Sequence, residues 1–173
     1  MAIYYGDGSN SGAGRIVQAV SSTNNNHYTF AIDSQGSVLT SGSFQASITP
    51  NSSSNKILVM MSFSISAPSD LEGAYQLIRE VGGVATTVAK GSGSGARKAV
   101  TGAGELRVSS RLSTFNTSHI DSPSTTSVTK YYLQLRHDSS SSRTFTFNYD
   151  TQNANSYSAF RTCSMINLLE IAS

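Results

Sequence analysis

The clearest pattern in the chain is the alternation of apolar and polar positions in residues 56–66, KILVMMSFSIS. Apolar side chains take every second position: Ile57, Val59, Met61, Phe63 and Ile65. The positions between them turn polar toward the end of the segment. A period of two places one set of side chains on one face of a β-strand, whereas a helix needs apolar residues three and four apart. The segment therefore predicts a central strand with that set buried.

Other short runs of strand character follow one another between turn-rich segments. The candidates are residues 15–20, 27–33, 44–49, 74–80, 84–90, 105–110, 115–120, 129–137, 144–149 and 163–171. Turn signals recur about every 8–12 residues, which is the spacing typical of sandwiches and jelly rolls. We therefore expect an all-β protein: one antiparallel, jelly-roll-like β-sandwich domain over residues 15–173, with an extended N-terminal arm.

One of these segments has a helical alternative. Residues 74–80 and 84–90 flank Gly82-Gly83, an arrangement that predicts a tight hairpin. Residues 71–80, LEGAYQLIRE, would instead place Leu71, Tyr75 and Ile78 on one face of a helix. Gly73 and the following glycine pair favour the hairpin, because glycine in a helix interior is destabilising.

Residues 1–14, MAIYYGDGSNSGAG, form an apolar tip followed by a Gly/Ser/Asn-rich stretch. Such a composition cannot bury enough apolar surface to fold alone, so we interpret it as an arm or linker. Ile3, Tyr4 and Tyr5 are unusually large apolar side chains for a solvated tail. They are candidates for a docking peptide anchored by another subunit; the alternative is a frayed terminus.

Composition argues against several partner classes. Charged residues make up 13% of the chain, against roughly 25% in an average soluble domain. The net charge is +2, and Arg97-Lys98 is the one adjacent basic pair, so no basic stripe predicts nucleic-acid binding. No apolar run approaches the roughly 18 residues of a membrane span, and residues 1–20 lack the apolar region of a signal peptide. We expect a protein made in the cytoplasm of a host, with no membrane partner.

The residues that carry chemistry elsewhere form no recognisable site here. His27, His119 and His137 lack metal-ligand spacing, and His119 with Asp121 is interpreted as a pair at a surface edge. The glycine-rich segment GSGSGARKAVTGAG lacks the Gly-Lys-Ser/Thr of a phosphate loop. The single cysteine, Cys163, lies in an apolar stretch and is expected to be a buried hydrophobe. These patterns predict no catalytic residue, metal or cofactor, and hence no enzyme.

Four segments in order resemble a family of small structural proteins of marine phages, especially cyanophages, that are labelled tail-fibre or virion proteins. They are GRIVQAVS, SITPNSSSNKILVMMSFSI, HIDSPSTTSVTKYYLQ and SMINLLEIA, which run from Gly14 nearly to the C-terminus. The resemblance implies a location in the virion and a trimeric β-sandwich or jelly roll, and it brings no catalytic residues. Unlike long fibres, this chain has no extended shaft.

Three function classes follow from these observations. The first is a bacteriophage virion protein, either a capsid decoration (cement) protein or a tail-fibre component. Its partners would be copies of itself, major capsid or tail proteins, and a host surface glycan. The second is a carbohydrate-binding module that uses loops 91–104 and 122–127. The third is a hydrolase with a scattered serine site, for which no G-x-S-x-G motif is present.

Overall fold

The computed structural model describes residues 14–33, 39–67, 72–106, 111–150 and 159–173, with the backbone alone for residues 39–43. This part of the chain contains strands and no helix, so the prediction of an all-β protein is confirmed. The strands are β1 (Ile16–Asn24), β2 (Tyr28–Ile32), β3 (Leu39–Ile48), β4 (Lys56–Ser66), β5 (Glu72–Val81), β6 (Val84–Ala89), β7 (Gly102–Glu105), β8 (Ser113–Asp121), β9 (Thr129–His137), β10 (Arg143–Phe147) and β11 (Ser164–Ile171).

The strands form two antiparallel sheets. In sheet A, β4 pairs with β11 and β8 through the same residues, so these two strands lie on opposite sides of it. The order is therefore β1-β11-β4-β8, and β10 and β2 extend the sheet from the end of β4. Sheet B has the order β3-β9-β5-β6, and β7 pairs with the first half of β5.

The connections give this sandwich the winding of a jelly roll. The chain changes sheet at β2–β3, β3–β4, β4–β5, β7–β8, β8–β9 and β9–β10. The first and last strands then pair with each other, from Ile16 opposite Ile171 to Asn24 opposite Ser164. Two antiparallel sheets, here of six and five strands, wound in this way form a jelly-roll-like sandwich, as the sequence predicts.

The core lies between the sheets, and β4 is at its centre. The five alternating residues of β4 predicted to be buried are each at most 3% exposed. They face Tyr131, Leu133 and Leu135 of β9. The ring of Phe63 lies nearly parallel to those of Phe115 and Phe147, with centroids 5.4 and 6.4 Å away. Burying each such side chain contributes about 1.5–3 kcal/mol, so the five buried residues of β4 make a large contribution to the stability of the sandwich.

The hairpin prediction is confirmed, and the helical alternative for residues 71–80 is wrong. β5 and β6 pair directly at Val81 and Val84, with Gly82 and Gly83 at the turn. Both glycines have positive φ, 57° and 80°, which is the geometry of a type I′ turn.

Some strand boundaries differ from the prediction. β1 continues past residue 20 to Asn24, because Ser21–Thr23 pair in register with β11 and only residues 25–27 make the turn. A strand is found at Gly102–Glu105 rather than at 105–110, of which residues 107–110 lie outside the described residues. The glycines of this strand are set by packing: a Cβ at Gly102 would lie 2.5 Å from Tyr75, and one at Gly104 2.8 Å from Phe115.

The C-terminal strand is partly as predicted. β11 lies between β1 and β4, and Ile166 and Leu168 are fully buried, which confirms an interior position. The expectation that Cys163 is buried is wrong: the thiol is exposed. The buried side chains of β11 are the alternate residues Ser164, Ile166, Leu168 and Glu170. Cys163, just before the strand, has the parity of the exposed Met165 and points outward with it.

Candidate functional site

The predicted docking residues Ile3, Tyr4 and Tyr5 lie outside the described residues, as does the rest of the arm before Gly14. The described part of the chain starts at Gly14, beside the end of β11. The Gly14 amide donates to the Ala172 carbonyl at 2.7 Å, and the Ala172 amide donates to the Arg15 carbonyl at 2.9 Å. Gly14 therefore lies at the C-terminal end of β11, on the edge of sheet A that β1 forms.

The glycine-rich loop 91–101 has a defined conformation against β5. Thr101 holds it: its amide donates to the Tyr75 carbonyl, and its hydroxyl accepts from the Leu77 amide at 2.8 Å and donates to the Ala89 carbonyl. The Gln76 side-chain amide donates to the Ala99 carbonyl at 2.9 Å. Between β6 and β7, the chain is thus held by these individual side-chain and backbone hydrogen bonds and not by regular strand pairing.

This loop borders a groove with a volume of about 450 Å³ near the start of β5 and the end of β9. That volume lies within the roughly 300–1,000 Å³ of small-ligand sites. Two cationic side chains, Lys98 and Arg136, and two carboxylates, Glu72 and Asp138, line it. The Glu72 amide also donates to Asp138 Oδ1 at 3.2 Å. Much of the remaining lining is glycine and alanine, so the groove offers mixed charge without an aromatic platform.

His137 lines the same groove, but its ring contacts other parts of the chain. It is 7% exposed; Nδ1 accepts from the Ser139 amide at 3.1 Å, and Nε2 lies 3.0 Å from the Ile32 carbonyl. Both ring nitrogens are therefore engaged by the backbone. The ring also stacks on Phe145. His137 therefore connects β9 to β2 and stabilises the sandwich.

The two candidate binding loops, residues 91–104 and 122–127, lie apart. Residues 122–127 precede β9, whereas the groove lies at its other end, near His137. The Ser122 carbonyl accepts a hydrogen bond from Arg79, which lies near the end of β5. Gly73, which lines the groove, lies near the start of the same strand. The structure therefore does not combine loops 91–104 and 122–127 into one site.

The interpretation of His119 and Asp121 as a surface pair is wrong, because Asp121 is 6% exposed and bound elsewhere. Both carboxylate oxygens accept from Arg79 Nη1, at 2.9 and 3.0 Å, and Oδ2 accepts from the Tyr131 hydroxyl at 2.7 Å. Burial, together with the Asp121 charge, raises the pKa of Tyr131 far above its usual value. These three residues come from β5, β8 and β9, so the cluster joins the two sheets.

A second charged cluster lies next to it on β5 and β9. Lys130 Nζ donates to Glu80 Oε1 at 2.9 Å, and the Tyr132 hydroxyl donates to Oε2 at 3.3 Å. The hydrogen bond from Lys130 is the main reason that the pKa of Glu80 is lowered, and burial is the main reason that the pKa of Tyr132 is raised. All three side chains satisfy one another across the strand pair.

Glu170 is a fully buried carboxylate that sequence reasoning treated only as a polar position in the last strand. Its donors are neutral. The Asn51 amide and Asn55 Nδ2 donate to Oε1 at 2.7 and 2.6 Å, and Asn51 Nδ2 donates to Oε2 at 3.0 Å. Gln18, with its amide oriented to donate, adds a bond to Oε2 at 3.1 Å. Glu170 therefore holds loop 51–55 against β11 and β1.

Asn148 is the second buried polar residue whose role was missed. It is fully buried with φ of 65°, and its Nδ2 donates to the carbonyls of Asn24 and Asn26 at 2.8 and 3.1 Å. The Ser164 hydroxyl donates to its Oδ1 at 2.6 Å, and its own amide donates to the Ser64 carbonyl. Its partners lie up to 124 residues away, so no local signal marks them.

The outer face of sheet A carries a shallow, partly apolar depression of about 350 Å³. Met60 and Met165 line it beside Asn116, Ser118 and Asn167, on the neighbouring strands β4, β8 and β11. Ile120, at the end of the same face of β8, is 54% exposed. This face has neither the charges nor the depth of a catalytic pocket.

Within the described ranges, no three or more His, Cys, Asp or Glu side chains come together in a way that could hold a metal ion. In the same part of the chain there is no helix of the length and apolarity needed to cross a membrane.

No family model matches the sequence, and no curated protein matches it. Solved structures do match. The structure of infectious bursal disease virus Gx strain has a TM-score of 0.46 at 14% identity, over 91% of this chain and 39% of that one. The Gt strain gives 0.44 and the VP2 subviral particle 0.39, both at 14% identity over 93% of this chain. This chain spans about 39% of their length. TM-scores below 0.5 are too low to support an argument about function.

Proposed function

We propose that this chain is a non-enzymatic structural subunit of a bacteriophage particle, located in the virion. The observation that carries the proposal is the jelly-roll winding, an architecture used by viral capsid domains as well as by lectins and cupins. Fold alone does not assign function, so the use of the polar residues is the second support. Asp121, Glu170, Asn148 and His137 all bond to distant parts of the chain, which is expected where polar groups serve assembly of the fold.

The order of the four segments that resemble phage structural proteins supports the phage part of the proposal. All four coincide with strands or with the turns that join them, so the resemblance concerns the fold-forming part of the chain. The finer role is a capsid decoration protein or a tail-fibre component. The compact sandwich of the described residues favours decoration.

Immunogold electron microscopy of intact phage particles tests the location. Antibody raised against the purified chain should label the particles, and the same antibody preincubated with the chain should not. Label over the head would establish a decoration protein, and label at the tail would establish a fibre component. Particles that contain the rest of the virion but bind no antibody would refute the virion proposal.

The arm, residues 1–14, is proposed as the attachment segment, with Ile3, Tyr4 and Tyr5 as its anchors. Replacing all three with serine should leave the sandwich folded, because the buried core of the described residues is built from side chains between Ile32 and Leu168. The same replacement should abolish binding to particles that lack the protein. A matched control replaces Ser9, Asn10 and Ser11 of the same arm with alanine and should bind normally. If both variants bind the particles as well as the wild-type chain does, Ile3, Tyr4 and Tyr5 do not anchor the chain.

Host-glycan binding is the second candidate function, and the groove beside loop 91–101 is the observation that favours it. On a glycan array the wild-type chain should bind a defined set of sugars, and Lys98→Glu should lose that binding. Lys90→Glu is the matched control, because Lys90 is an exposed lysine that does not line the groove. Absence of binding by the wild-type chain would exclude this function.

A further inference from the structure

Strand β8 differs from the other edge strands that the structure describes. β1, β3 and β6 each have a break in register, β2 has five residues, and β7 has four. β8 instead pairs with β4 through nine consecutive residues, from Ser113 opposite Ile65 to Asp121 opposite Ile57. Among the described residues it pairs with no other strand, so one long, regular edge is presented outward.

The sequence of β8 has few of the devices that protect edges, and its one inward-pointing charge, Asp121, lies at the end of the strand. Natural edge strands carry lysine, proline, bulges or inward-pointing charges, which prevent another strand from adding. β8 reads STFNTSHID, with no lysine, arginine or proline, and its one acidic residue, Asp121, is held by Arg79. A weakly protected edge of this length is a template for strand addition.

The inner face of β8 is also incompletely covered. Phe115, Thr117 and His119 are only half-buried, whereas their partners on β4, Phe63, Met61 and Val59, are at most 3% exposed. The core therefore thins out at this edge. A strand added beside β8 would cover these three side chains and extend the core.

We propose that β8 pairs antiparallel with β8 of a second copy of this chain, across a two-fold axis at Thr117. The inference rests on the self-assembly in the proposed function and names the surface that is used. With Thr117 opposite itself, all nine residues pair: Asn116 faces Ser118, Phe115 faces His119, and Thr114 faces Ile120 of the second copy. No like charges face each other, and about eight backbone hydrogen bonds form.

The charge pattern at the centre of this pairing gives a specific test on the full chain. Asn116 and Ser118 are exposed and face each other between copies. The double variant Asn116→Lys/Ser118→Lys would place lysine opposite lysine twice and weaken dimerisation about tenfold. Asn116→Lys/Ser118→Glu would place opposite charges together and should still dimerise. Sedimentation velocity over a concentration series gives the dissociation constants, and circular dichroism verifies that both variants keep the fold.

A cross-link gives an independent measurement. In the Cys163→Ser background, Thr117→Cys treated with oxidised glutathione should form an interchain disulfide, with reduced glutathione as the other product. Directly opposite Cα atoms lie about 4.5–5.5 Å apart, and a disulfide spans about 4.4–6.8 Å. Ser21→Cys is the control on β1, the edge strand on the opposite side of sheet A, and should form no interchain disulfide.

The outcomes separate this contact from the others. A wild-type dimer with a weakened Lys/Lys variant and a Thr117→Cys cross-link would support the β8 contact. A Lys/Lys variant that associates as tightly as the wild-type chain would overturn the β8 contact. A trimer whose mass is the same for the wild-type chain and the Lys/Lys variant would also overturn it; a trimer is the assembly that the family resemblance implies. Loss of association only when residues 1–13 are deleted would assign the contact to the arm. A wild-type monomer would overturn self-association, and immunogold labelling of particles would still decide the virion location.

Discussion

Asn148 shows how one residue stabilises several strands. Its left-handed backbone ends β10, and its side chain then reaches carbonyls beyond the end of β1 and the first hydroxyl of β11. Asparagine is suited to both tasks, because it tolerates positive φ better than most residues and both donates and accepts. Glycine would tolerate the positive φ but could not make the side-chain hydrogen bonds.

Replacing Asn148 separates the two contributions. Asn148→Gly keeps the φ of 65° and loses the side-chain hydrogen bonds, and we expect a loss of about 3 kcal/mol. Asn148→Ala loses the same bonds and adds the strain of a left-handed alanine, about 1 kcal/mol more. Equilibrium unfolding in denaturant measures both free energies. Equal stabilities of the two variants would contradict the backbone contribution.

Glu170 allows a similar test of a buried charge. Glu170→Ala would leave Asn55 Nδ2 buried without an acceptor and would remove the acceptor of the Asn51 amide. Hydrogen bonds to charged groups contribute about 1.5–3 kcal/mol each. We expect a loss of about 3 kcal/mol or more in denaturant unfolding. Glu170→Gln keeps one oxygen for these donors and should lose about half as much. An unchanged Glu170→Ala protein would show that loop 51–55 folds without this carboxylate.

At the scale of elements, β4 supports the clearest prediction. Phe63→Asp should abolish soluble expression, because Phe63 is fully buried and an unpaired charge in the core costs several kcal/mol against a stability of about 5–15 kcal/mol. Met61→Asp should behave in the same way. Ser62→Asp, on the outer face between them, should express and fold. Soluble expression with a normal melting temperature for Phe63→Asp would contradict the register of β4.

The elements that sequence predicts well are those whose pattern is local. The alternation in β4 and the glycine pair of the β5–β6 hairpin carry their own signals, and both agree with the structure. Loop 91–101 is different, because the hydroxyl of Thr101 holds it to strands some 12–24 residues away. The same holds for the candidate site: composition predicted a binding loop, but the groove requires β5 and β9 to bring Glu72 and Arg136 beside Lys98.

At the scale of the whole molecule, the jelly roll depends on a few side chains that connect its sheets. Arg79 and Tyr131 of sheet B both bind Asp121, the last residue of β8 in sheet A. β8 otherwise pairs only with β4 among the described strands. The cluster therefore fixes one end of β8, the strand that we propose to pair between copies.

This cluster should also set the alkaline limit of stability. The pKa of Tyr131 is raised in the folded protein, by burial first and by Asp121 second, so the folded state retains a proton that the unfolded chain releases near pH 10. The stabilisation that protonated Tyr131 gives to the folded state is fully present below pH 10 and is lost as the pH rises above that value. Melting temperatures of wild type should therefore fall steeply above pH 10, and Tyr131→Phe should be less stable at neutral pH but show a shallower alkaline decline. His119→Ala, outside the cluster, should follow the wild-type curve. Parallel curves for Tyr131→Phe and wild type would show that another group governs alkaline unfolding.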